Sequence, residues 1–208
     1  MANVRVDAQL GTSPFHVKGL VYRGALSYCE RKVPGGLRAM AEVAKSEDEV
    51  LHRFISQNFL ASAWYDLLPL PMIDSLAARL CNEPRVPFIR TAARTQAREE
   101  LGGIYRMFLK LLSPATVSQY LPRIAAQYYD FGTVETNLES DSTVLVVRTG
   151  MPLVIADWLQ AVALEYVEVA LELSGAKGVL VRALPREPGG DYKGFPVCNL
   201  RARIQWQR

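Results

Sequence analysis

The stretch "YYDFGTVETNLESDSTVLVVRTGMP", residues 128–152, marks the place where the hydrophobic pattern of this chain changes from helical to extended. Upstream, apolar residues recur at helical intervals, whereas here the pattern alternates through Val134, Thr136 and Leu138, and again from Val144. Alternation places every second side chain on one face of a strand, so each run predicts a strand. The polar letters "ESDS" between the two runs suit a hairpin connection. The stretch therefore predicts a pair of antiparallel strands.

A helix and two further strands are predicted downstream of this pair. The stretch "MPLVIADWLQAVALEYVEVALELSG" predicts a helix that ends at Gly175, with an apolar face formed by Leu153, Trp158, Ala161, Leu164, Val167 and Leu171. "KGVLVRALP" and "PVCNLRARIQW" are strand candidates, separated by the Gly- and Pro-rich turn "REPGGDYKGF". The order strand, strand, helix, strand, strand predicts a four-stranded antiparallel sheet with a helix on one face.

The part of the chain before residue 131 predicts helices that follow a short arm. Residues 1–18 are expected to form an arm that ends in a short strand, and "PGG" should end the first helix. Ser46 with Glu49 matches a capping box, while Pro122 should kink or divide the last helix. The predicted class is α+β, an N-terminal helical layer followed by a ββαββ four-stranded antiparallel sheet. We expect one domain over residues 19–208, with its helical part at 19–130 and its ββαββ part at 131–208.

Composition limits the classes to which the protein can belong. Half of the 208 residues are hydrophobic and 22% are charged, which is the balance of a globular protein with a core. A net charge of +3 is too small to favour nucleic acid as a partner. Cys29, Cys81 and Cys198 suggest no disulfide framework, so a reducing compartment, the cytoplasm, is expected. We expect neither a secretory signal nor a membrane-spanning segment.

Several stretches resemble the myxobacterial paralogous family of uncharacterised proteins. They are "FHVKGLVYRGAL", "LASAWYDLLPLPMIDSLA", "RTAARTQAREELGGIYRMFLKLLSP" and the closing "VRALP…CNLRARIQW". The resemblance runs from Phe15 to Trp206, and its motifs are Gly19, the pair Trp64 and Tyr65, Arg98 with Gly102, and the terminal Trp. Because that family has no established activity, the resemblance implies a fold and little about function.

More distantly, the order of helices followed by ββαββ is similar to a fold shared by three groups of domains. These are haem-based nitric oxide/oxygen-binding domains, 4-vinyl-reductase small-molecule-binding domains and Golgi transport particle subunits. The resemblance implies a haem, a small hydrophobic molecule or a partner protein bound in a crevice between the helices and the sheet. Haem members need a proximal His and a Tyr-x-Ser-x-Arg motif. The motif is absent, and the histidines are His16 in the arm and His52 on a helix, so no cofactor is predicted.

Two sets of residues are candidates for a binding site. Aromatic residues and one cysteine could line the crevice: Trp64, Tyr65, Tyr105, Tyr129, Trp158 and Cys198. Gly194 and Cys198 are placed like a Gly and a Cys in the last hairpin of 4-vinyl-reductase-like domains, which the fold resembles. The same aromatic residues could equally form core. Arg90, Arg94 and Arg98 form a helical stripe that could bind an anion, or could be a solvated face partly neutralised by neighbouring glutamates.

Catalytic and metal-binding patterns are absent from the sequence. No Gly-x-Ser-x-Gly elbow, Cys-x-x-Cys or His-x-x-x-His occurs, and Glu165 with Glu168 are expected on the polar, solvated face of their helix. The sequence therefore predicts a non-enzymatic sensory or regulatory module that binds a small apolar ligand. The alternative is a protein-interaction subunit, a homodimer or part of a hetero-complex, whose pocket is filled by its own side chains.

Overall fold

The computed structural model describes residues 10–102 and 104–207, and for residues 104–106 it describes the backbone only. Contacts divide the chain into two compact units. The first unit holds the residues up to Ala92 and Tyr128–Asp130, and the second holds Ala93–Gln127 and the residues from Phe131 onward. The part of the chain expected to be a single helical layer is thus shared between the two units.

The first unit is mostly helical, and a two-stranded sheet closes it. Its elements, in chain order, are β1 (His16–Lys18), α1 (Gly19–Lys32), α2 (Gly36–Glu47), α3 (Glu49–Ser56), β2 (Trp64–Asp66), α4 (Pro69–Leu80) and the first half of α5 (Arg85–Leu101). β1 and β2 pair antiparallel, and Val17 also bridges to Tyr129. The short strand predicted at the end of the arm and the end of α1 before "PGG" are therefore present.

The cap predicted between α2 and α3 is wrong in its residue. Asp48 caps α3, because its side chain accepts a hydrogen bond from the backbone N–H of Leu51 at 2.9 Å. The Ser46 hydroxyl instead donates to the carbonyl of Val43 at 2.8 Å, inside the last turn of α2. A carboxylate at the N-cap also interacts favourably with the positive end of the helix dipole, which a serine does not do.

Asp66 ties the segment before β1 to the rest of the first unit. Its buried carboxylate accepts hydrogen bonds from the backbone N–H of Gly11 at 2.6 Å, of Ser13 at 3.0 Å and of Leu68 at 2.9 Å. It also accepts one from the Ser13 hydroxyl at 2.6 Å, and the Tyr22 hydroxyl donates to the Asp66 backbone carbonyl at 2.5 Å. One side chain thus satisfies donors from two separate segments, as a buried carboxylate must.

The second unit contains helices and a sheet. Its elements are the remainder of α5, α6 (Ile104–Leu111), α7 (Pro114–Tyr128), β3 (Thr133–Ser140), β4 (Thr143–Pro152), a 3₁₀ turn (Leu153–Ile155), α8 (Ala156–Leu173), β5 (Lys177–Ala183), β6 (Glu187–Tyr192) and β7 (Phe195–Gln207). The strand order is β3-β4-β7-β5, β6 also pairs with β7, and every pairing is antiparallel. The α+β class and the hairpin at residues 133–152 are confirmed.

Glycine follows the end of one helix in this unit, whereas the proline inside another helix does not divide it. α5 ends at Leu101, and a Cβ on Gly102 would lie 2.3 Å from the carbonyl oxygen of Arg98, so only glycine fits there. Pro122 does not divide α7, which continues to Tyr128. Among the described residues, no helix is both long and apolar enough to cross a membrane.

The inner face of the sheet carries the core of the second unit. Val144 and Ile204, both fully buried, are paired across β4 and β7; Leu138 continues their row on β3 and Val181 continues it on β5. Val117 of α7 and Ala170, Leu171 and Trp206 join this cluster. Because side chains alternate along each strand, one register places the strand residues of the cluster on the same face of the sheet, where the helix residues pack against them.

Two details of this unit differ from the sequence prediction. The stretch predicted as a turn at residues 186–195 contains β6, so the sheet has five strands instead of four. A Cβ on Gly189 would lie 3.1 Å from the carbonyl oxygen of Val197, so glycine allows β6 to approach β7 closely. On α8, Trp158 and Leu171 are buried as predicted, but Leu153 lies before the helix and is exposed.

Replacing Asp66 by alanine should destabilise the protein by about 3 kcal/mol, because several buried donors would lose their shared acceptor. Urea denaturation would measure the change. Glu42→Ala is the control, since it removes only an exposed ion pair with Arg38 and should cost less than about 1 kcal/mol. Equal losses in the two variants would contradict the role given to Asp66.

Candidate functional site

A cleft in the first unit lies among its first three helices. Its volume is about 670 Å³, within the range usual for small-molecule sites. α1 contributes Arg23 and Leu26, α2 contributes Leu37, Arg38 and Ala41, and the end of α3 with the following loop contributes residues 55–59. The lining residues lie on three helices and a loop that are separate in the sequence, so the cleft forms only when the chain folds.

An aromatic cluster stiffens one wall of the cleft. The Phe59 ring stacks on Tyr22 with centroids 4.2 Å apart, and Tyr65 meets Phe59 edge-on at 4.7 Å. The Tyr65 hydroxyl accepts a hydrogen bond from the backbone N–H of Leu60 at 3.0 Å, which fixes the loop. Stacked and edge-to-face rings hold one another in place. The wall is therefore rigid and apolar.

The charge of the cleft lining is positive. Arg23 and Arg38 are the ionisable residues of the lining, and neither aspartate nor glutamate is among the lining residues. Arg38 pairs with Glu42 at 3.2 Å, but both side chains are exposed, so the pair is weak and readily exchanged. Leu26, Ile55 and Phe59 are buried and give an apolar floor. The lining suits a small molecule with an apolar body and a negatively charged group.

The six residues predicted to line a ligand crevice are divided between the two units. Trp64 and Tyr65 lie on β2, and the β1 residue paired with Tyr65, Val17, also bridges to Tyr129, so these three residues are close together in the first unit. Lys18 lies over the half-exposed Trp64 ring at 3.7 Å from its centroid. Tyr65 backs the wall of the cleft through Phe59 but does not line it.

The remaining three predicted residues belong to the second unit. Trp158 on α8 and Cys198 on β7 are buried, and burial raises the pKa of the Cys198 thiol. The backbone of Tyr105 lies in α6, but its side chain is outside the described part of the chain. Trp158 and Cys198 therefore have the burial of core residues, and their role in binding a ligand stays a prediction.

The predicted anion stripe on α5 is not uniformly available to a ligand. The Arg94 guanidinium lies 3.1 Å from the Glu165 carboxylate and 3.0 Å from that of Glu168, and it also pairs with Glu172. Arg98 lies 3.7 Å from Glu172 and is largely exposed. Glu165, expected on a solvated face, is buried instead because Arg94 compensates its charge. Anion binding by Arg90, Arg94 and Arg98 remains a prediction, and the contacts of Arg94 argue against it.

Glu100 is an unusual carboxyl group in the second unit. Burial raises its pKa from 4.5 to about 7, the Tyr166 hydroxyl opposes this rise with a hydrogen bond, and the charge of Glu99 adds to it. Its Oε1 is buried without a hydrogen-bond partner among the described residues. A carboxyl that is partly protonated near neutral pH can change its charge in the physiological range.

A haem, which the resemblance to haem-binding domains implies, would need an axial ligand such as a His or Cys side chain. The Nδ1 atom of His16 lies 2.6 Å from the Asp130 carboxylate in the first unit, and His52 is half-buried on α3 in the same unit. Burial raises the pKa of the thiols of Cys29, Cys81 and Cys198, which disfavours the thiolate form that ligates iron. Among the described residues, no three His, Cys, Asp or Glu side chains cluster as a metal site. The three thiols are therefore poor axial ligands for a haem.

Solved structures similar to this chain are H-NOX domains. A Cs H-NOX mutant with an unnatural amino acid has a TM-score of 0.65 at 12% identity, covering 92% of this chain and 97% of its own. A mutant of T. tengcongensis H-NOX has a TM-score of 0.65 at 11% identity, covering 92% and 98%. An oxygen-binding H-NOX domain related to soluble guanylate cyclases, in its oxygen complex, has a TM-score of 0.64 at 12% identity, covering 92% and 95%. At these identities the likeness defines the fold, which is that of H-NOX domains.

No family model matches the chain, and no curated protein matches it.

The sequence analysis did not select the residues that form the cleft, above all Arg23, Arg38 and Phe59. Nothing in their spacing signals a site, because they lie on separate elements and each is ordinary in its own stretch. Function must therefore be argued from the geometry.

Replacing Arg94 by alanine should lower the free energy of unfolding by about 3 kcal/mol, because the buried Glu165 would lose the guanidinium that compensates its charge. Chemical denaturation at neutral pH would measure the loss. Arg98→Ala is the matched control on the same helix and should cost less than about 1 kcal/mol, since Arg98 is mostly exposed. A small loss in Arg94→Ala would restore the anion stripe as the better explanation of these arginines.

Glu100→Gln should remove a pH-dependent loss of stability. Below pH 4.5 both folded and unfolded chains are protonated at Glu100; between 4.5 and 7 the unfolded chain releases its proton first, so folding becomes less favourable as pH rises. Above about pH 7 the loss is constant at up to about 3 kcal/mol. Denaturation curves from pH 4 to 9 should show the variant gaining stability over wild type between these two pKa values. Glu135→Gln, at an exposed carboxylate, should show no such gain.

Proposed function

We propose that this protein is a non-enzymatic sensory or regulatory module of the cytoplasm that binds a small apolar ligand. The observation that supports the proposal most directly is the likeness to H-NOX domains over 92% of the chain, since the names of those neighbours include oxygen binding and haem. Fold likeness alone carries only an analogy of function. Membership of the myxobacterial paralogous family, which the sequence resembles, is part of this proposal.

The ligand is distinct from haem in this proposal, and the cleft among α1, α2 and α3 is its site. A floor of Leu26, Ile55 and Phe59 supplies the apolar contact, and the two arginines at the lining supply positive charge. Together these features favour an apolar carboxylate, whose chain would cover the floor while its head group pairs with a guanidinium. Chemistry on the ligand is not required, and the proposed role is occupancy-dependent signalling.

A protein-interaction subunit is the second candidate function. It is favoured by the interior of the second unit, where side chains of α7 and α8 fill the space against the sheet around Val144 and Ile204. A core filled in this way leaves less room for a ligand between helices and sheet, as the self-filled alternative requires. Native mass spectrometry separates the two functions. A bound small molecule supports the first, and a concentration-independent dimer without one supports the second.

Decanoate, a carboxylate with a ten-carbon chain, is the probe for the cleft. At 100 times its dissociation constant it should raise the free energy of unfolding by about 2.7 kcal/mol, because it binds the folded chain alone. Ala41→Trp places a large ring in the cleft and should abolish this gain. Lys45→Trp, one turn further along α2 and outside the lining, should keep it. An unchanged gain in Ala41→Trp, or none in wild type, would overturn the cleft as the ligand site.

A further inference from the structure

Helix α6 exposes apolar side chains that the second unit does not use. Met107, Phe108 and Leu111 are 72%, 62% and 81% exposed, and they lie within one turn of each other. Leu109 and Leu112 point the other way and pack against the core of the unit. The core thus fixes the helix, while a second apolar face remains in water. Large apolar side chains exposed together mark a surface that binds something.

Helix α7, the next helix, also exposes apolar side chains. On α7, Val117 and Leu121 are buried, whereas Tyr120 and Ile124, one turn apart, are 42% and 37% exposed. The guanidinium of Arg123 lies 5.6 Å from the centroid of the Tyr120 ring. An aromatic ring with a hydroxyl beside a cation is suited to the boundary between apolar and aqueous phases.

The charge of this segment is one-sided. Between Glu100 and Asp130 the sequence contains Arg106, Lys110 and Arg123 and no acidic residue. The chain as a whole has 24 basic and 21 acidic residues, so these three cations equal its entire net charge of +3. The remaining positions are electrically balanced. A partner that meets the described part of α6 and α7 meets the exposed Lys110 and Arg123 together with the apolar side chains, a combination that complements a negatively charged, apolar surface.

We propose that the α6–α7 face, residues 107–124, docks on an anionic lipid bilayer, with Met107, Phe108 and Leu111 inserted among the lipids and Lys110 and Arg123 near the head groups. Side chains that are 62–81% exposed protrude, so they do not form the groove into which a helical peptide would bind. Fluid acyl chains accept protruding side chains of any shape. A short amphipathic helix with flanking basic residues lies in the interface in this way without spanning it.

Vesicle flotation with the full chain tests the proposal. Vesicles of 30% phosphatidylglycerol in phosphatidylcholine should carry the protein, and pure phosphatidylcholine should carry at least tenfold less. Binding should weaken as salt is raised, since exposed charges are screened. Lys110→Gln and Arg123→Gln should each weaken binding about fivefold, the factor equivalent to the 1 kcal/mol typical of a basic residue near an anionic membrane.

A matched pair of double variants tests the apolar insertion. Phe108→Ser with Leu111→Ser should reduce vesicle binding at least tenfold. Leu60→Ser with Leu180→Ser removes two apolar side chains of similar exposure, 71% and 62%, from other elements and should leave binding unchanged. All four positions are exposed, and circular dichroism would verify that both variants fold.

Several results would overturn the proposal. They are no binding to anionic vesicles, equal binding to neutral ones, or equal losses in the two double variants. A dimer that dissociates in Phe108→Ser with Leu111→Ser, together with absent vesicle binding, would assign the face to a second copy of the chain. None of these results depends on decanoate or on the cleft, so the docking face and the proposed ligand site stand or fall separately.

Discussion

Strand β7 is the element on which the second unit depends, because β4, β5 and β6 all pair with it. From Cys198 to its end, buried and less buried positions alternate, with Leu200, Ala202, Ile204 and Trp206 on the buried side. A slip of one residue would turn all four of these side chains to the other face and would break three pairings together. The position of β7 therefore determines the register of the strands that pair with it, as in the row in which Ile204 is paired with Val144 on one side and Val181 on the other.

The α+β class was predictable because the residues that decide it are periodic. Alternation through Val144 and Val146, and again along β7, is a direct consequence of burial on one face, so it can be read without coordinates. β6 escaped prediction because all six of its residues are exposed and it contains Pro188 and two glycines. Such a strand forms through pairing of its backbone with β7, and that tertiary cause leaves no pattern in the local sequence.

The candidate sites were less predictable, because they depend on residues that meet only after folding. Tyr65 was selected as an aromatic residue and does support the wall of the cleft, but Arg23 and Arg38 on two separate helices gave no signal. Glu165 was expected in solvent on the grounds of its charge. Its burial required Arg94, which lies 71 positions earlier in the chain. A local pattern can report which face of a helix is apolar, but it cannot report which charge finds a partner across a core.

The distribution of charge connects these separate observations. Three carboxylates on α8 are held by Arg94, so the arginine expected to face an external anion is used inside the unit. By contrast, α6 and α7 contain Arg106, Lys110 and Arg123 and no acidic residue of their own. That segment also exposes Phe108 and Leu111, whose apolar area is costly to leave in water, whereas exposed cations are well solvated there. The same sequence thus pairs three carboxylates of α8 with Arg94 and leaves one exposed face that combines basic and apolar side chains.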